Sequence, residues 1–219
     1  MPSNELSNET LGAIAFAGAA LGPFFSCDPK LCKAQLEPSA KAVCALDVAA
    51  AAKAWPFVDA GLAGECLADM QQGLAGGLEN PELYSEYRRL FVGPQAKVAP
   101  PWGSVYTDRD MVVFGESTIA LKEWLRHQGI AVSHGESDEP EDHIGTLLSL
   151  MAWIAQNKPE CLREFLQLHL LTWAGHFLEI MEFGSQQVFY VSLAKLTRVT
   201  LAGIQDELGL EVETPKFYR

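Results

Sequence analysis

The sequence is poor in basic residues. It carries 16 lysines and arginines against 28 aspartates and glutamates in 219 residues, so its formal net charge is −12 at pH 7. A nucleic-acid-binding protein needs a basic face to neutralise phosphates, and no window of this sequence offers one. We therefore expect no nucleic-acid partner, whereas an acidic surface favours encounter with a basic partner.

Metal-binding, disulfide and catalytic signatures are also lacking. The five cysteines form no Cys-x-x-Cys pair, and we interpret them as buried free thiols. The sequence has no glycine-rich phosphate loop, no complete nucleophile elbow and no His-Glu-x-x-His motif. His169 and His176 lie on one predicted helix, where core histidines are more common than metal ligands. We therefore predict no catalytic residue, no metal and no cofactor.

The longest uncharged run, Thr10–Cys27, lacks the marks of a targeting or membrane segment. Glu5 and Glu9 precede it, whereas a signal peptide begins with a positive region. The run is rich in glycine and alanine and contains Pro23, whereas a membrane helix needs about 20 predominantly apolar residues. We interpret it as part of a buried first helix over Asn4–Leu21, and we predict a cytoplasmic protein without membrane insertion.

Helix-forming residues, in contrast, are abundant. Leucine and alanine far outnumber the β-branched valine and isoleucine, which favours helices over strands. Capping residues and prolines divide the chain into helices. The predicted starts follow Asp28, Asp59, Asn80 and Ser117, or lie at Pro38, Pro140, Pro159 and Ser185. The helix from Pro38 is predicted to reach Lys53, the helix from Pro159 to reach Phe183, and Gly129 to end the helix that Ser117 caps. One face of the last helix is predicted to be apolar, with Phe189, Leu193, Leu196, Thr200 and Ile204. The expected fold is all-α, a bundle of about 8–11 helices.

The longest polar break, Ile130–Glu139, is the predicted boundary between two helical subdomains joined by a hinge loop. The N-terminal subdomain would comprise residues 1–132. The C-terminal subdomain would comprise residues 133–219 and begin with the segment Glu139-Pro140-Glu141-Asp142-His143.

One long loop is predicted within the first subdomain. The segment Gly93–Asp110 has no helical periodicity, and loops of this length in a compact domain are usually functional or disordered. Its Pro100-Pro101-Trp102 sequence is stiff and can present an indole at low entropic cost. Trp102 either anchors a ligand or packs the loop onto the core. Leu90 and Phe91, just before the loop, belong to the core or line a groove beside Trp102.

The segment Glu139–His143 overlaps the most acidic part of the chain, Glu136–Asp142, in which five of seven residues are acidic. Pro140 is predicted to open a helix, and Glu141 and Asp142 in the first turn would complement the helix dipole. That structural role does not explain His143. A site for a basic ligand is the alternative interpretation, because Asp142 and His143 offer adjacent polar groups.

These segments together resemble the TorD/DmsD family of redox-enzyme maturation chaperones. The match runs in order from Tyr84 to Leu201, and its Pro-Pro-Trp-Gly-Ser and Phe-Gly-x-Ser-Thr sequences resemble the DmsD branch. The segments are Glu86-Tyr87-Arg88-Arg89-Leu90-Phe91-Val92-Gly93-Pro94, Pro100-Pro101-Trp102-Gly103-Ser104-Val105-Tyr106, Phe114-Gly115-Glu116-Ser117-Thr118, Glu139-Pro140-Glu141-Asp142-His143 and His169-Leu170-Leu171-Thr172-Trp173.

The resemblance implies an all-helical cytoplasmic chaperone and not an enzyme. Such a protein binds the twin-arginine leader peptide of a molybdoenzyme and holds it until the cofactor is loaded and folding is complete. The implied client is the catalytic subunit of dimethyl sulfoxide reductase, and translocase components are a further candidate partner. The residues that the resemblance places in the leader site are Tyr87, Leu90, Phe91, Pro101, Trp102, Gly115, Glu139, Glu141, Asp142 and His143.

The residue chemistry agrees with that implication. The two arginines of a leader need carboxylates, which Asp142 with Glu139 or Glu141 would supply. The apolar stretch that follows them would lie against Trp102 and the Leu90-Phe91 pair.

Three alternatives remain open at the level of sequence. One is a chaperone of the same family with a different molybdoenzyme or metalloenzyme client. Another is weak nucleotide binding or hydrolysis by Asp142 and His143, although no phosphate loop or nucleophile accompanies them. The last is a structural helical adaptor without leader affinity.

Overall fold

A computed structural model describes residues 6–132 and 139–219. Within these ranges the chain forms eleven α-helices, and the only extended pairing is one isolated bridge between Trp102 and His143. The all-α prediction is therefore confirmed. The helices are α1 Asn8–Ser26, α2 Lys33–Cys44, α3 Val48–Ala54, α4 Ala60–Gly73, α5 Pro81–Tyr87, α6 Ser104–Thr107, α7 Glu116–His127, α8 Ile144–Asn157, α9 Leu162–Phe165, α10 Ala174–Gly184 and α11 Val188–Leu208. Two π-helical turns, Arg88–Val92 and Leu166–Leu170, and a 3₁₀ turn, Pro159–Cys161, complete the helical structure.

Two helix starts lie where the capping residues predict them. Asp59 Oδ1 accepts hydrogen bonds from the backbone of Gly61 at 2.9 Å and Leu62 at 3.2 Å. Asn80 caps α5 in the same way, with Pro81 as the first helical residue. These signals are local, because a cap needs only residues two or three positions apart.

Two prolines lie inside helices and not at their ends. Helix α1 passes through Pro23 and ends at Ser26 instead of near Leu21, and Pro38 lies in the second turn of α2. A proline inside a helix removes a hydrogen-bond donor. Burial of the flanking apolar side chains outweighs that cost, and these are Phe24, Phe25, Leu36 and Ala40.

In the N-terminal half, the helix starts near two aspartates, Asp28 and Asp47, differ from the prediction. The stretch predicted as one helix from Pro38 to Lys53 is two helices, because Asp47 caps α3 by accepting from two backbone N–H groups. Asp28 Oδ1 accepts from the backbone of Lys30 at 2.8 Å, but the residues that follow form a turn and not a helix.

The C-terminal part also departs from two predicted helices. The helix predicted from Pro159 to Phe183 is interrupted at residues 171–173, between a π-helical turn and α10. The last helix begins at Val188 and not at Ser185, because the side chain of Gln187 accepts from the backbone of Phe189 at 2.6 Å. Its predicted apolar face is buried as expected, with Phe189, Leu193, Leu196, Thr200 and Ile204.

The chain divides into two compact units. The first contains residues 1–22, 101–174 and 210–219, and the second contains residues 23–100 and 175–209. Each unit combines segments that are far apart in the sequence. The predicted boundary at Ile130–Glu139 falls within the first unit, and its residues 133–138 lie outside the described residues. The hinge at this loop and the division into 1–132 and 133–219 stay predictions.

The core of the first unit is built around α8. Ile144, Leu147 and Met151 of this helix are fully buried. Helix α1 approaches it so closely at Gly18 that a Cβ atom there would lie 2.3 Å from the carbonyl oxygen of Leu148. Glycine at this position therefore permits the packing of α1 against α8.

The core of the second unit is aromatic. The ring of Phe91 packs edge-to-face against those of Tyr87 and Tyr190, at centroid distances of 5.0 and 6.2 Å. Helices α4 and α11 approach closely at Gly73, where a Cβ atom would lie 2.6 Å from Cβ of Phe189. The edge-to-face contacts of Phe91 add to the stability that burial of these large rings provides.

Helix α1 is, among the described residues, the one helix long and apolar enough by composition to cross a membrane. The apolar stretch of this helix is partly buried inside the protein. The buried side chains of this helix include Ile14, Ala17 and Leu21. The core role predicted for this run is therefore confirmed for its buried face.

The five cysteines are free, but their burial is mixed. Cys66 and Cys161 are buried, as predicted, whereas Cys27 and Cys32 are half-buried and Cys44 is exposed. The prediction that all five are buried is therefore wrong. Burial raises the pKa of the Cys66 thiol to about 11, so this thiol stays protonated and unreactive at pH 7.

Candidate functional site

The Pro-Trp loop and the segment Glu139–His143 are joined by backbone pairing. Trp102 and His143 form the isolated antiparallel bridge, and the N–H of Ile144 donates to the carbonyl oxygen of Pro101 at 2.8 Å. These segments are about forty positions apart in the sequence. The sequence therefore showed two separate motifs and did not show that they are in contact. The structure thus brings two of the predicted site segments together in the first unit.

The indole of Trp102 is held by a carboxylate. Its Nε1–H donates to Glu139 Oε1 at 2.5 Å, and its ring lies edge-to-face with that of His143 at a centroid distance of 6.2 Å. Both Trp102 and Glu139 are half-buried, so each keeps part of its surface open. The arrangement fixes an aromatic face beside a carboxylate, which is the pair of groups that a guanidinium recognises.

Asp142 points inward and is 3% exposed. Its Oδ2 accepts a hydrogen bond from the backbone N–H of Ser104 at 2.7 Å, whereas Oδ1 has no hydrogen-bond partner among the described residues. Burial raises the pKa of Asp142, and the hydrogen bond from the backbone N–H of Ser104 opposes that rise. Asp142 therefore fixes the loop that carries Trp102 through the backbone of Ser104, and it offers little surface to a ligand.

His143 is the N-cap of α8. Its Nδ1 accepts from the backbone N–H of Gly145 at 3.1 Å, and burial lowers the pKa of His143 to about 4. The ring is therefore neutral at pH 7, with its proton on Nε2. The prediction that Pro140 opens this helix is wrong, because the helix begins at Ile144. Glu141 and Asp142 consequently lie before the first turn and not within it.

Glu141 connects the segment to α7. Its Oε2 lies 3.1 Å from Nζ of Lys122, and the same ammonium lies 5.3 Å from the centroid of the Phe114 ring. Lys122 thus bridges a carboxylate and an aromatic ring.

Gly115 has a packing role next to this site. A Cβ atom there would lie 1.6 Å from Oδ2 of Asp108, so only glycine allows the carboxylate to approach. The prediction that Ser117 caps α7 is wrong, because the helix begins at Glu116 and Gly115 holds the N-cap position. Burial raises the pKa of Asp108, and the charges of Glu116 and Asp142 raise it further, whereas hydrogen bonds from the backbone N–H groups of Ser117 and Glu116 lower it.

Three polar residues near Asp142 were not identified from the sequence as part of the site, and these are Ser104, Asp108 and Thr118. The hydroxyls of Ser104 and Thr118 are buried, and neither they nor Oδ2 of Asp108 has a hydrogen-bond partner in the described ranges. Ser104 and Thr118 belong to the motif segments, so those segments were the available signal. Asp108 lies between the motifs, and no sequence pattern marked it.

The remaining predicted site residues belong to the second unit and lie in its core. Leu90 and Phe91 are 0% and 3% exposed, and the hydroxyl of the buried Tyr87 donates to the carbonyl oxygen of Phe25 at 3.0 Å. Leu90 and Phe91 lie in the π-helical turn Arg88–Val92, a type of distortion that is frequent at functional sites. Their part in leader binding stays a prediction.

Over the described residues, no group of three or more metal-ligating side chains is placed to hold a metal ion. His169 packs against Trp124 at a centroid distance of 5.2 Å, and burial lowers its pKa to about 4. This packing is what the interpretation of His169 as a core histidine predicts.

Comparison with known proteins identifies the family. Residues 59–179 match the family model described as nitrate reductase delta subunit. The chain is 47% identical to the probable Tat proofreading chaperone DmsD of Haemophilus influenzae over 137 residues, which cover 63% of this chain and 67% of that protein. It is 43% identical over 139 residues to the Tat proofreading chaperone DmsD of Salmonella typhimurium, with the same shares covered. It is 29% identical to the chaperone protein YcdY of Escherichia coli over 60% of this chain and 68% of that protein. The motif resemblance is thereby confirmed, and the chain belongs to the TorD/DmsD family.

Proposed function

We propose that this protein is a cytoplasmic proofreading chaperone that binds the twin-arginine leader peptide of a redox enzyme. The observation that carries the proposal is the pairing of the Trp102 loop with the segment Glu139–His143. Relatives that are 43% and 47% identical to this chain are named Tat proofreading chaperones. In this proposal the protein retains its client and catalyses no reaction.

The groups that would contact the leader arginines are Trp102 and Glu139. An arginine can stack on the indole while its planar fork pairs with the carboxylate, which lysine cannot reproduce. Both side chains are half-buried, so the pair is partly desolvated and stronger than an exposed pair. The Glu139 carboxylate and the edge-to-face His143 ring restrict the motion of the Trp102 indole. Less conformational entropy is therefore lost when a leader peptide binds.

Asp142, His143 and Gly115 act in this proposal as positioning residues. Asp142 fixes the loop through Ser104, and His143 fixes the start of α8. Gly115 leaves room for Asp108. Substitutions at these positions would weaken leader binding by moving Trp102 and Glu139 and not by removing a direct contact.

The charge of the whole chain supports the same partner. A net charge of −12 attracts a basic peptide and raises its rate of encounter. The resemblance to the DmsD branch favours the leader of the dimethyl sulfoxide reductase catalytic subunit as the client. Retention of that leader until cofactor loading is complete is the role we assign.

Calorimetric titration with a synthetic twin-arginine leader tests the proposal. We expect saturable one-to-one binding, with a weaker affinity for a twin-lysine version of the same leader. Glu139→Gln keeps an acceptor for the Trp102 indole but removes the charge, and we expect roughly tenfold weaker binding. Glu160→Gln, at an exposed glutamate of the same unit, is the matched control and should bind as the unchanged protein does.

Absence of binding to the leaders of dimethyl sulfoxide reductase and of other redox enzymes would overturn the proposal. Equal affinity for the arginine and lysine leaders would instead remove the role of Trp102 and Glu139. Binding of another redox-enzyme leader alone would keep the chaperone function and change the client.

A further inference from the structure

An exposed apolar segment precedes α7. Four successive large apolar residues, Met111, Val112, Val113 and Phe114, are between 38% and 52% exposed. Ile119, in the first turn of α7, is 54% exposed. A run of exposed apolar residues is unfavourable in water and is expected on a soluble protein only where it serves binding. We call these five residues the apolar strip.

The backbone of this segment is strained. Met111 and Phe114 have φ angles of 49° and 71°, which side chains with a Cβ atom rarely adopt. The N–H of Met111 donates to the carbonyl oxygen of Asp108 at 3.0 Å, so the segment leaves the preceding turn in a fixed direction. The fold therefore maintains an unfavourable conformation that also leaves apolar side chains in water, a combination typical of functional sites.

The apolar strip is continuous with the polar site. Nζ of Lys122 lies 5.3 Å from the centroid of the Phe114 ring and 3.1 Å from Oε2 of Glu141. Ile119 and Lys122 are three residues apart on α7, so they share one face of the helix. A single ligand can therefore contact the apolar strip and the carboxylates of the segment Glu139–His143 together.

We propose that the apolar strip docks the apolar stretch that follows the two arginines of the leader peptide. The inference rests on the proposed function and identifies where the second half of the same ligand binds. The leader presents two cations and then apolar residues, and the first unit presents carboxylates adjoining an apolar surface. Leu90 and Phe91, which the sequence suggested for this contact, are buried and offer little surface to a ligand.

The test compares two protein variants with two leaders by calorimetry. The double variant Val112→Ser/Val113→Ser removes apolar surface at positions with ordinary φ angles, so no backbone strain is added. We expect it to bind the unchanged leader roughly tenfold more weakly. A leader whose apolar stretch carries serine substitutions should bind both proteins equally, because it has lost the contact. Ile119→Ser provides a second variant on the helix and should act in the same direction.

The matched control is Leu168→Ser. Leu168 is 56% exposed in the same unit but is not part of the apolar strip, and its substitution should leave leader affinity unchanged. Thermal unfolding of each variant verifies that the fold is kept, since exposed side chains contribute little to stability.

The outcomes separate this inference from the proposed function. If the unchanged protein prefers the arginine leader but both strip variants bind it equally well, the inference is wrong and the function stands. If the unchanged protein binds no leader, both fail. Self-association that the strip variants abolish without affecting leader affinity would also overturn the inference, and would assign the surface to a second copy of the chain.

Discussion

Acid should destabilise this protein through His143, and the size of the effect follows from the structure. The pKa of His143 is lowered to about 4 by burial, from an ordinary value of 6.5. Between pH 4 and pH 6.5 the unfolded chain therefore binds a proton at His143, whereas the ring stays neutral in the folded protein. The stabilising contribution of the neutral ring is complete above pH 6.5 and is lost as the pH falls to about 4.

The expected loss is about 3 kcal/mol, because each pH unit of pKa difference corresponds to about 1.4 kcal/mol. His143→Asn separates this titration from the structural role of the residue. Asparagine is a favourable N-cap, and its Oδ1 can accept from the N–H of Gly145 in place of Nδ1. At pH 7 we expect the variant to lie within about 1 kcal/mol of the unchanged protein. Its free energy of unfolding should then fall less steeply in acid.

Urea unfolding at several pH values between 7 and 4 measures the difference. Asp142 also titrates, and its raised pKa works in the opposite direction. It is present in both proteins, so the comparison isolates His143. His127→Asn, at an exposed histidine of α7, is the control. Parallel stability curves for the unchanged protein and His143→Asn would refute the reasoning, as would an NMR titration of the His143 ring near its ordinary pKa.

Four further substitutions, at three positions, have expected outcomes. Asp142→Asn keeps an acceptor for Ser104 and removes a carboxylate whose pKa burial raises, so at pH 7 it should melt no lower than the unchanged protein, whereas Asp142→Ala should lose about 1–3 kcal/mol. A lower melting temperature for the asparagine variant would contradict this. Gly115→Ala displaces the Asp108 carboxylate and should lower the free energy of unfolding by about 1–3 kcal/mol. An unchanged urea unfolding curve would refute this expectation. Gly12→Ala, on an open face of α1, should raise the free energy of unfolding by about 0.5–1 kcal/mol, and a measured loss would show that this face is covered.

Local signals in the sequence were reliable where the hydrogen bonds they predict are local. Asp59 and Asn80 cap helices at the predicted positions, because the bonds span only two or three residues. Gly129 ends the segment after α7 with a positive φ angle of 64°, as the sequence predicts. The same local reasoning failed at Pro140, where pairing with the Trp102 loop, and not proline, decides where α8 begins.

The candidate site was predictable as a set of residues but not as an arrangement. The motifs identified Trp102, Glu139, Asp142 and His143, and the structure joins all four in the first unit. Their separate roles depend on burial, which distant segments supply. His143 had no structural explanation in the sequence, and its role as an N-cap became apparent only once the helix start was known.

By itself, the sequence determined the helical class, several helix caps, the acidic charge and the family motifs. These properties depend on composition or on residues within a few positions of one another. The tertiary structure alone decided which apolar side chains face water, so that Leu90 and Phe91 are buried while Val112 and Phe114 are exposed. The physical reason is that burial is set by packing between segments remote in sequence, and amino-acid type does not distinguish an apolar residue of the core from one held out to bind a partner.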